Sequence, residues 1–142
     1  MRKRLMKNER GAALLEAAIT IPLILLISVA IFEFGRAYQT WQVLTNAARE
    51  GARVAVIAGT SDAQVTDAVR NYMTIGHLDK AASAPIDINR TAPMGDTTAS
   101  QITISYPFDF MVLGPVARLV APTSTAGDSL TMSAVAIMRN EG

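Results

Sequence analysis

A single carboxylate, Glu16, lies inside an apolar run that extends from Ala12 to Phe32 and otherwise contains no charge. At 1.5 Å per residue, a helix over this run of about 21 residues is roughly 31 Å long, which is enough to cross a bilayer. A charge in such a segment costs at least about 2.5 kcal/mol, so ionisable residues there usually serve a function. Glu16 either neutralises a positive charge in or beside the lipid, or marks the membrane boundary by reaching the headgroups.

Other residue types that carry out chemistry are scarce in this chain. It has no cysteine and a single histidine, His77, which follows a predicted helix end and is expected to be a cap or a solvated residue. No nucleophile, base and orienting group occur together at a recognisable spacing. The sequence therefore predicts a protein that is not an enzyme, with no catalytic residue, no metal site and no cofactor.

The charges are distributed unevenly, although the formal net charge is only +1. Residues 1–10 contain five basic side chains and one acidic side chain, directly before the apolar run. This is the positive-inside pattern, which predicts a cytoplasmic N-terminus and an external C-terminal part. Membrane topology explains the basic cluster, and no basic patch with interleaved aromatics follows it, so nucleic-acid binding is not expected.

The apolar run continues into an amphipathic segment, where apolar residues recur at spacings of three and four: Phe34, Tyr38, Trp41, Leu44, Ala48, Ala52 and Ala55. This periodicity predicts one helix from about Ala12 to Ile57, with Pro22 tolerated in its membrane half. A cleaved secretory signal, with small residues at the two required positions, 28 and 30, is the main alternative. Signals normally end where the folding segments begin, whereas the helical pattern of this chain continues through that site.

Two features of this helix bear on its surroundings. Glu33 and Arg36 form an i,i+3 charge pair just beyond the apolar run, and they are expected on a solvated helix face. In the stretch "NAAREGAR", residues 46–53, small residues form a stripe that another backbone could approach closely: Ala47, Ala48, Gly51 and Ala52. This stripe packs beneath the chain's own sheet or contacts another subunit, and the two interpretations are not exclusive.

Beyond Gly59 the sequence predicts a short helix followed by strands. Ser61 and Gln64 are spaced as a capping box, and Gly76 is a stop signal. The segments 86–89, 102–106 and 130–136 alternate apolar and polar residues, which predicts an antiparallel sheet with one wet face. The apolar segment 107–122 is expected to pack on the sheet or on the long helix, or else to dock a partner or rest on the membrane surface.

The layout around Glu16 resembles that of a type IV prepilin, because a cut after Gly11 would make Ala12 the new N-terminus and Glu16 its fifth residue. The chain as a whole resembles the TadE family, pilin-like proteins of the tight-adherence (Tad/Flp) pilus systems of bacteria. The matching residues extend over most of the chain: "GAALLE" from Gly11, Pro22, "EFGR" from Glu33, "LTNAAREGAR" from Leu44, "TISYPF" from Thr103 and "LTMSAVAIMRNE" from Leu130.

The residue patterns and the resemblance together predict an α+β, pilin-like fold. A long N-terminal transmembrane and amphipathic helix is followed by a short helix and a small three-stranded antiparallel sheet. The expected organisation is a basic cytoplasmic leader (1–11), a transmembrane helix (12–35), its amphipathic continuation (36–59) and a periplasmic α+β domain (60–142).

The resemblance implies a minor pilin or pseudopilin of the bacterial inner membrane that assists pilus assembly and adhesion. A prepilin peptidase would process it at a site formed by Gly11, Ala12 and Glu16. The expected partners are the major Flp pilin, other pilin-like subunits, the peptidase and the pilus assembly platform, with subunit contacts at Glu16 and the small-residue stripe. Two alternatives are an unprocessed single-pass scaffold that binds assembly proteins, and a periplasmic ligand-binding or sensing domain, which would need a polar-lined pocket.

Overall fold

The computed structural model describes residues 9–140 except 122, 124 and 126. These residues form, in chain order, α1 (Glu9–Ala55), α2 (Asp62–Ile75), β1 (Ile86–Met94), β2 (Thr97–Phe108), α3 (Leu113–Val120) and β3 (Leu130–Arg139). The predicted α+β fold, with a long apolar helix, a short helix and a three-stranded antiparallel sheet, is confirmed. Most of the predicted basic leader, residues 1–8, lies outside the described residues, as do Glu141 and Gly142.

α1 is a single helix of 47 residues that includes both the apolar run and the amphipathic segment. It begins and ends slightly earlier in the chain than the predicted helix from Ala12 to Ile57, and Pro22 lies inside it. α1 is long and apolar enough to cross a membrane, and none of its most apolar stretch is buried inside the chain. These properties are consistent with a single-pass membrane protein.

α2 begins and ends at the predicted signals. The hydroxyl of Ser61 accepts a hydrogen bond from the backbone of Gln64, and the Gln64 side chain accepts one from the backbone of Ser61, so the capping box is present. Gly76 follows the helix, and its N–H donates to the carbonyl oxygen of Tyr72. His77 comes next with a φ of +58° and an exposed side chain, so it belongs to the turn that ends α2.

The sheet has the order β1-β2-β3, and both strand pairs are antiparallel. In its centre Ile102 of β2 pairs with Ala136 of β3. β1 is longer than the predicted segment 86–89, because it continues to Met94 past a bulge after Asn89 that changes the register of the pairing. The hairpin then turns at Gly95, whose φ of +60° lies in the region that favours glycine.

The hydrophobic core lies between the second half of α1, α2 and one face of the sheet. Its largest fully buried apolar side chains are Leu44, Val65, Val69, Met73, Ile102 and Ile104. Burial alternates along β2, so successive residues point toward α1 or away from it. The core is therefore confined to the part of the chain beyond the apolar run.

The small-residue stripe of α1 lies beneath the chain's own domain. Ala47, Ala48 and Ala52 have no exposed surface. A Cβ added to Gly51 would lie only 2.5 Å from Cγ2 of Val69, so the close approach of α1 and α2 depends on the absence of a side chain at residue 51. Of the two interpretations, the burial of these residues favours packing within the chain.

Arg90 on β1 connects the end of α1 to the start of α2. Its guanidinium donates hydrogen bonds to the carbonyl oxygens of Ala55 (2.7 Å) and Thr60 (2.8 Å) and to the carboxylate of Asp62 (2.8 Å). Ala55 is the last residue of α1, where the terminal carbonyl groups have no partner within the helix. A cation at this position also interacts favourably with the helix dipole. Arg90 thereby fixes the sheet to the C-terminal end of α1.

We predict that Gly51→Ala is less stable than Gly35→Ala by roughly 1 to 3 kcal/mol, the usual cost of overpacking. Both substitutions place alanine at a glycine inside α1 and gain a similar helix propensity of about 1 kcal/mol. A Cβ at Gly35 meets no atom within 4 Å, so only Gly51→Ala adds a steric cost. Unfolding of the full chain in detergent micelles, followed by circular dichroism, measures the difference. Equal stabilities would contradict the close packing of α1 on α2.

Candidate functional site

The predicted processing segment, from Gly11 to Glu16, is part of α1. Gly11, Ala12 and Glu16 are all exposed. A Cβ added to Gly11 would meet no atom within 4 Å, so the packing of the described residues does not require glycine at this position. The backbone is helical on both sides of the bond between Gly11 and Ala12.

Glu16 takes part in none of the ion pairs found among the residues that the structure describes. The residues around it on α1 are apolar and strongly exposed, among them Leu14, Leu15 and Ile19. An ionised carboxylate on such a surface is costly in lipid when neither a positive charge nor the headgroups lie within its reach. Glu16 is therefore a candidate contact for a positively charged group outside the described part of the chain.

Glu33 has a different environment, and the predicted solvated position is wrong. The expected pair with Arg36 is present, with Nη1 of Arg36 donating to Oε2 at 2.9 Å, but the Glu33 side chain is only 1% exposed. Its Oε1 accepts hydrogen bonds from the backbone N–H groups of Val112 at 2.6 Å and Leu113 at 3.4 Å. A carboxylate can be buried when it is paired and hydrogen-bonded in this way.

These hydrogen bonds make Glu33 the cap of α3. The first N–H groups of a helix have no partner within it, and a polar side chain at the N-cap usually accepts one of them. The N-cap residue of α3 is Val112, whose side chain makes no hydrogen bond. The Glu33 carboxylate, 79 residues earlier in the chain, takes this role, and its negative charge suits the positive end of the helix dipole. Glu33 thus holds the start of α3 against α1.

Arg36 extends this connection to the end of β2. Its guanidinium lies 5.2 Å from the ring centroid of Phe108, which is a cation–π distance, and Nη1 lies 3.5 Å from the carbonyl oxygen of Asp109. The ring of Phe108 is edge-on to that of Phe110, with 5.5 Å between centroids. Glu33 and Arg36 together therefore attach both ends of the connection between β2 and α3 to one turn of α1.

The apolar segment 107–122 contains α3, a helix that the sequence interpretation did not predict. Gly114 and Pro115 lie in the first turn of α3, where proline is tolerated because its missing N–H would have no helical partner. Gly114 also allows the following loop to approach: a Cβ there would lie 2.9 Å from the carbonyl oxygen of Gly127, whose φ is +90°. α3 lies beside α1 and contacts it at Glu33, so the segment packs on the long helix only in part, and Val116, Leu119 and Val120 remain exposed.

Two apolar grooves separate α3 from the first half of α1. One, of about 400 Å³, lies between Leu26 and a side of α3 that includes Leu113, Val116 and Val120. The other, of about 290 Å³, extends along α1 from Pro22 to Val29. Their linings are almost entirely apolar, so these grooves can bind apolar groups and offer very few hydrogen-bond partners.

A small polar pocket lies near Arg36, with His77, Lys80 and Asp109 among its lining residues. Its volume of about 100 Å³ is below the range of roughly 300 to 1,000 Å³ that is usual for ligand pockets. Lys80 and Asp109 already form an ion pair with each other across it. Within the described part of the chain, no group of three or more His, Cys, Asp or Glu side chains could hold a metal ion. This pocket does not favour the alternative of a ligand-binding or sensing domain.

Comparison with known proteins relates α1 to a family. Residues 11–53 match the model of the family described as TadE-like protein. This segment is TadE-like. The match confirms the resemblance expected from the sequence, and it extends within α1 from the predicted processing site to the end of "NAAREGAR". No curated protein and no solved structure gives a significant match to the chain.

The TadE-like family is associated with the Tad pilus and is not a family of enzymes. The segment that matches this family lies within α1, the helix that is long and apolar enough to cross a membrane. The match does not include the elements from α2 to β3. The role of those elements is therefore inferred from their contacts with the TadE-like helix.

We predict that Glu33→Ala lowers the free energy of unfolding by at least about 2 kcal/mol, because it leaves Arg36 and two N–H groups at the start of α3 without their buried partner. Hydrogen–deuterium exchange should show loss of protection at the amides of Val112 and Leu113 before the rest of the domain is affected. Both measurements use the full chain in detergent micelles.

The matched control is Glu50→Ala, which removes the other i,i+3 glutamate–arginine pair of α1. Glu50 and Arg53 form this pair with partly exposed side chains, so its loss should cost about 0.5 kcal/mol or less. If the two variants lost equal stability, or if α3 kept its protection in Glu33→Ala, the capping role of Glu33 would be wrong.

Proposed function

We propose that this chain is a minor pilin or pseudopilin that assists the assembly of a Tad/Flp type IV pilus and so supports adhesion to surfaces. The observation that carries the proposal is the TadE-like match over residues 11–53, which coincides with an exposed helix of membrane length. A small α+β domain is packed on the C-terminal half of that helix. A pilin-like subunit needs both parts, because the apolar half can be buried by lipid or by other subunits while the domain stays in water.

In this proposal the chain crosses the bacterial inner membrane once, with the basic leader in the cytoplasm and the α+β domain in the periplasm. The excess of basic residues before the apolar run supports this orientation, because positively charged flanks remain on the cytoplasmic side. Residues 12–35 then form the transmembrane helix and residues 36–59 its amphipathic continuation.

A prepilin peptidase cuts this chain, in the proposed mechanism, between Gly11 and Ala12. The exposure of Gly11 and the empty space around it support the proposal, because no packing requirement of the described residues accounts for glycine there. The cut creates a positively charged amino group at Ala12, and Glu16, about one helical turn further, neutralises that group in its own or a neighbouring subunit. The proposed neighbours are the major Flp pilin and other pilin-like subunits, which the assembly platform brings together.

An unprocessed membrane scaffold that binds pilus-assembly proteins is the second candidate. The helical backbone across Gly11 and Ala12 favours it, because a peptidase has to unwind the helix locally before it can reach this bond. N-terminal sequencing of the protein extracted from membranes separates the two candidates. The pilin proposal requires Ala12 as the first residue, whereas the scaffold retains Met1.

We predict that Gly11→Leu prevents processing and leaves a precursor that is heavier by residues 1–11. A bulky side chain next to the scissile bond obstructs the active site of the peptidase, while the empty space around Gly11 means that the fold of the chain is unaffected. Mass spectrometry of the membrane-extracted protein measures the effect. The control Gly35→Leu introduces the same side chain at another open position of α1 and should be processed normally. If the unmodified chain already had the full precursor mass, so that it differed from Gly11→Leu only by the exchange of glycine for leucine, the result would support the scaffold. Identical masses would mean that both chains are cut after residue 11, and Gly11→Leu would then not block processing.

We also predict that Glu16→Gln inserts into the membrane but fails to co-purify with the major pilin or to support piliation. The substitution keeps the shape of the side chain and removes its charge, which leaves the amino group at Ala12 unpaired at a cost of roughly 3 to 5 kcal/mol. If Glu16 only marks the membrane boundary, the effect should be well below about 1 kcal/mol. Glu50→Gln, the same change outside the apolar run, is the control and should assemble normally. Normal piliation with Glu16→Gln would refute the pairing.

A further inference from the structure

α3 lies beside the part of α1 that can cross a membrane. The first residues of α3 are held at Glu33. The groove of about 290 Å³ extends along α1 to Pro22. At 1.5 Å per residue, Pro22 is roughly 16 Å from Glu33 along the helix. The apolar run of α1 ends at Phe32, so nearly all of this interval falls inside the run. The medium that surrounds α1 between Pro22 and Phe32 therefore also surrounds α3.

The outward side chains of α3 and its flank are strongly apolar. Leu119 is 84% exposed and Val120 79% exposed, and Met111, just before α3, is 61% exposed. These side chains add to the exposed apolar surface of α1 and do not cover it. A contiguous apolar surface of this kind indicates contact with a membrane or another protein.

The distribution of exposed residues on α1 favours lipid over a second copy of the chain. Five consecutive residues, 23–27, are each at least 52% exposed, and all of them are apolar. Five consecutive residues cover more than one full turn, so apolar surface is present around the whole circumference of the helix. A single neighbouring subunit covers one stripe of a helix, whereas lipid surrounds it.

We propose that α3 is immersed in the outer leaflet of the membrane that α1 crosses, and that phospholipid acyl chains fill the two grooves between the helices. This inference rests on the proposed membrane anchor but not on processing or pilus assembly. A helix suits the position because its backbone hydrogen bonds are internal. The carboxylate of Glu33 accepts hydrogen bonds from two N–H groups at the start of α3 that lipid could not satisfy.

The charge on α3 is compatible with this position. Arg118 is the single charged residue of α3, and its side chain is 65% exposed, with Nη2 at 4.0 Å from Asp128. An arginine side chain can keep its stem in apolar surroundings while the guanidinium reaches the headgroups, where phosphate oxygens accept its hydrogen bonds. An apolar surface combined with a basic side chain is typical of helices that lie at a bilayer interface.

The absence of cysteine from the sequence allows a direct test with single nitroxide labels. The full chain carrying Leu119→Cys is labelled and reconstituted into vesicles of phosphatidylethanolamine and phosphatidylglycerol. Paramagnetic resonance then measures how often the label collides with oxygen, which concentrates in lipid, and with a water-soluble nickel chelate. Two labelled controls define the scale: Leu23→Cys in the apolar run, and Ile75→Cys at the end of α2, where the side chain is 69% exposed.

We expect the Leu119 label to behave like the Leu23 label, with more oxygen collisions and a loss of nickel collisions relative to the Ile75 label. A Leu119 label that behaves like the Ile75 label would place α3 in water and overturn the inference. Shielding from both reagents, with spectra that broaden as the protein-to-lipid ratio rises, would indicate a second copy and would overturn it as well. If the Leu23 label also collided freely with nickel, the membrane anchor itself would be wrong.

Discussion

The buried carboxylate of Glu33 is the interaction on which the relation between the long helix and the rest of the chain depends. It lies one residue beyond the apolar run, and it accepts hydrogen bonds from Arg36 and from two backbone N–H groups at the start of α3. A carboxylate at this depth is tolerated only because all of these donors converge on it. The same contacts fix where α3 begins, and through Arg36 they also fix the end of β2 on α1. The apolar part of α1 and the folded domain thus meet at one charged group.

The domain is attached to α1 at two positions along the helix. A positively charged side chain makes the attachment at one position, and a negatively charged side chain makes it at the other. Arg90 donates to the carbonyl oxygen at the C-terminal end of α1, and Glu33 accepts from the N–H groups at the N-terminal end of α3. In both cases the charge of the side chain complements the helix dipole. Between the two positions, the contact consists of small residues, and Gly51 allows α2 to approach closely. Polar contacts at the ends and close packing between them leave the domain little freedom to rotate about the helix.

The elements with a strong local signal could be predicted from the sequence, and the contacts that join distant segments could not. The long helix, the capping box at Ser61 and the alternating strands follow from periodicity and composition, which depend only on neighbouring residues. α3 was missed because Gly114 and Pro115 resemble helix breakers, although both are acceptable in a first turn. The burial of Glu33 could have been predicted from helical periodicity. Glu33 lies seven residues before Thr40, and Thr40 lies four residues before Leu44, so these three buried residues share one face of the helix. The backbone groups that donate to Glu33 are 79 and 80 residues away, and no local sequence pattern predicts contacts at that distance.

The contrast between Glu16, inside the apolar run, and Glu33, just beyond it, clarifies what Glu16 needs. Glu33 is satisfied within the chain because the end of β2 and the start of α3 reach it, but the described domain packs only on the later part of α1 and on the interval from Pro22 onward. No described element approaches Glu16, whose surroundings on the helix are exposed and apolar. In the proposed membrane position the carboxylate of Glu16 requires compensation, which a headgroup, a residue of the leader or a group on another molecule would supply. Processing as proposed removes the leader and supplies a positive amino group at Ala12, which would favour the intermolecular partner in an assembly. The carboxylate of Glu16, which is costly in lipid for the isolated chain, would then favour association of the chain with other subunits.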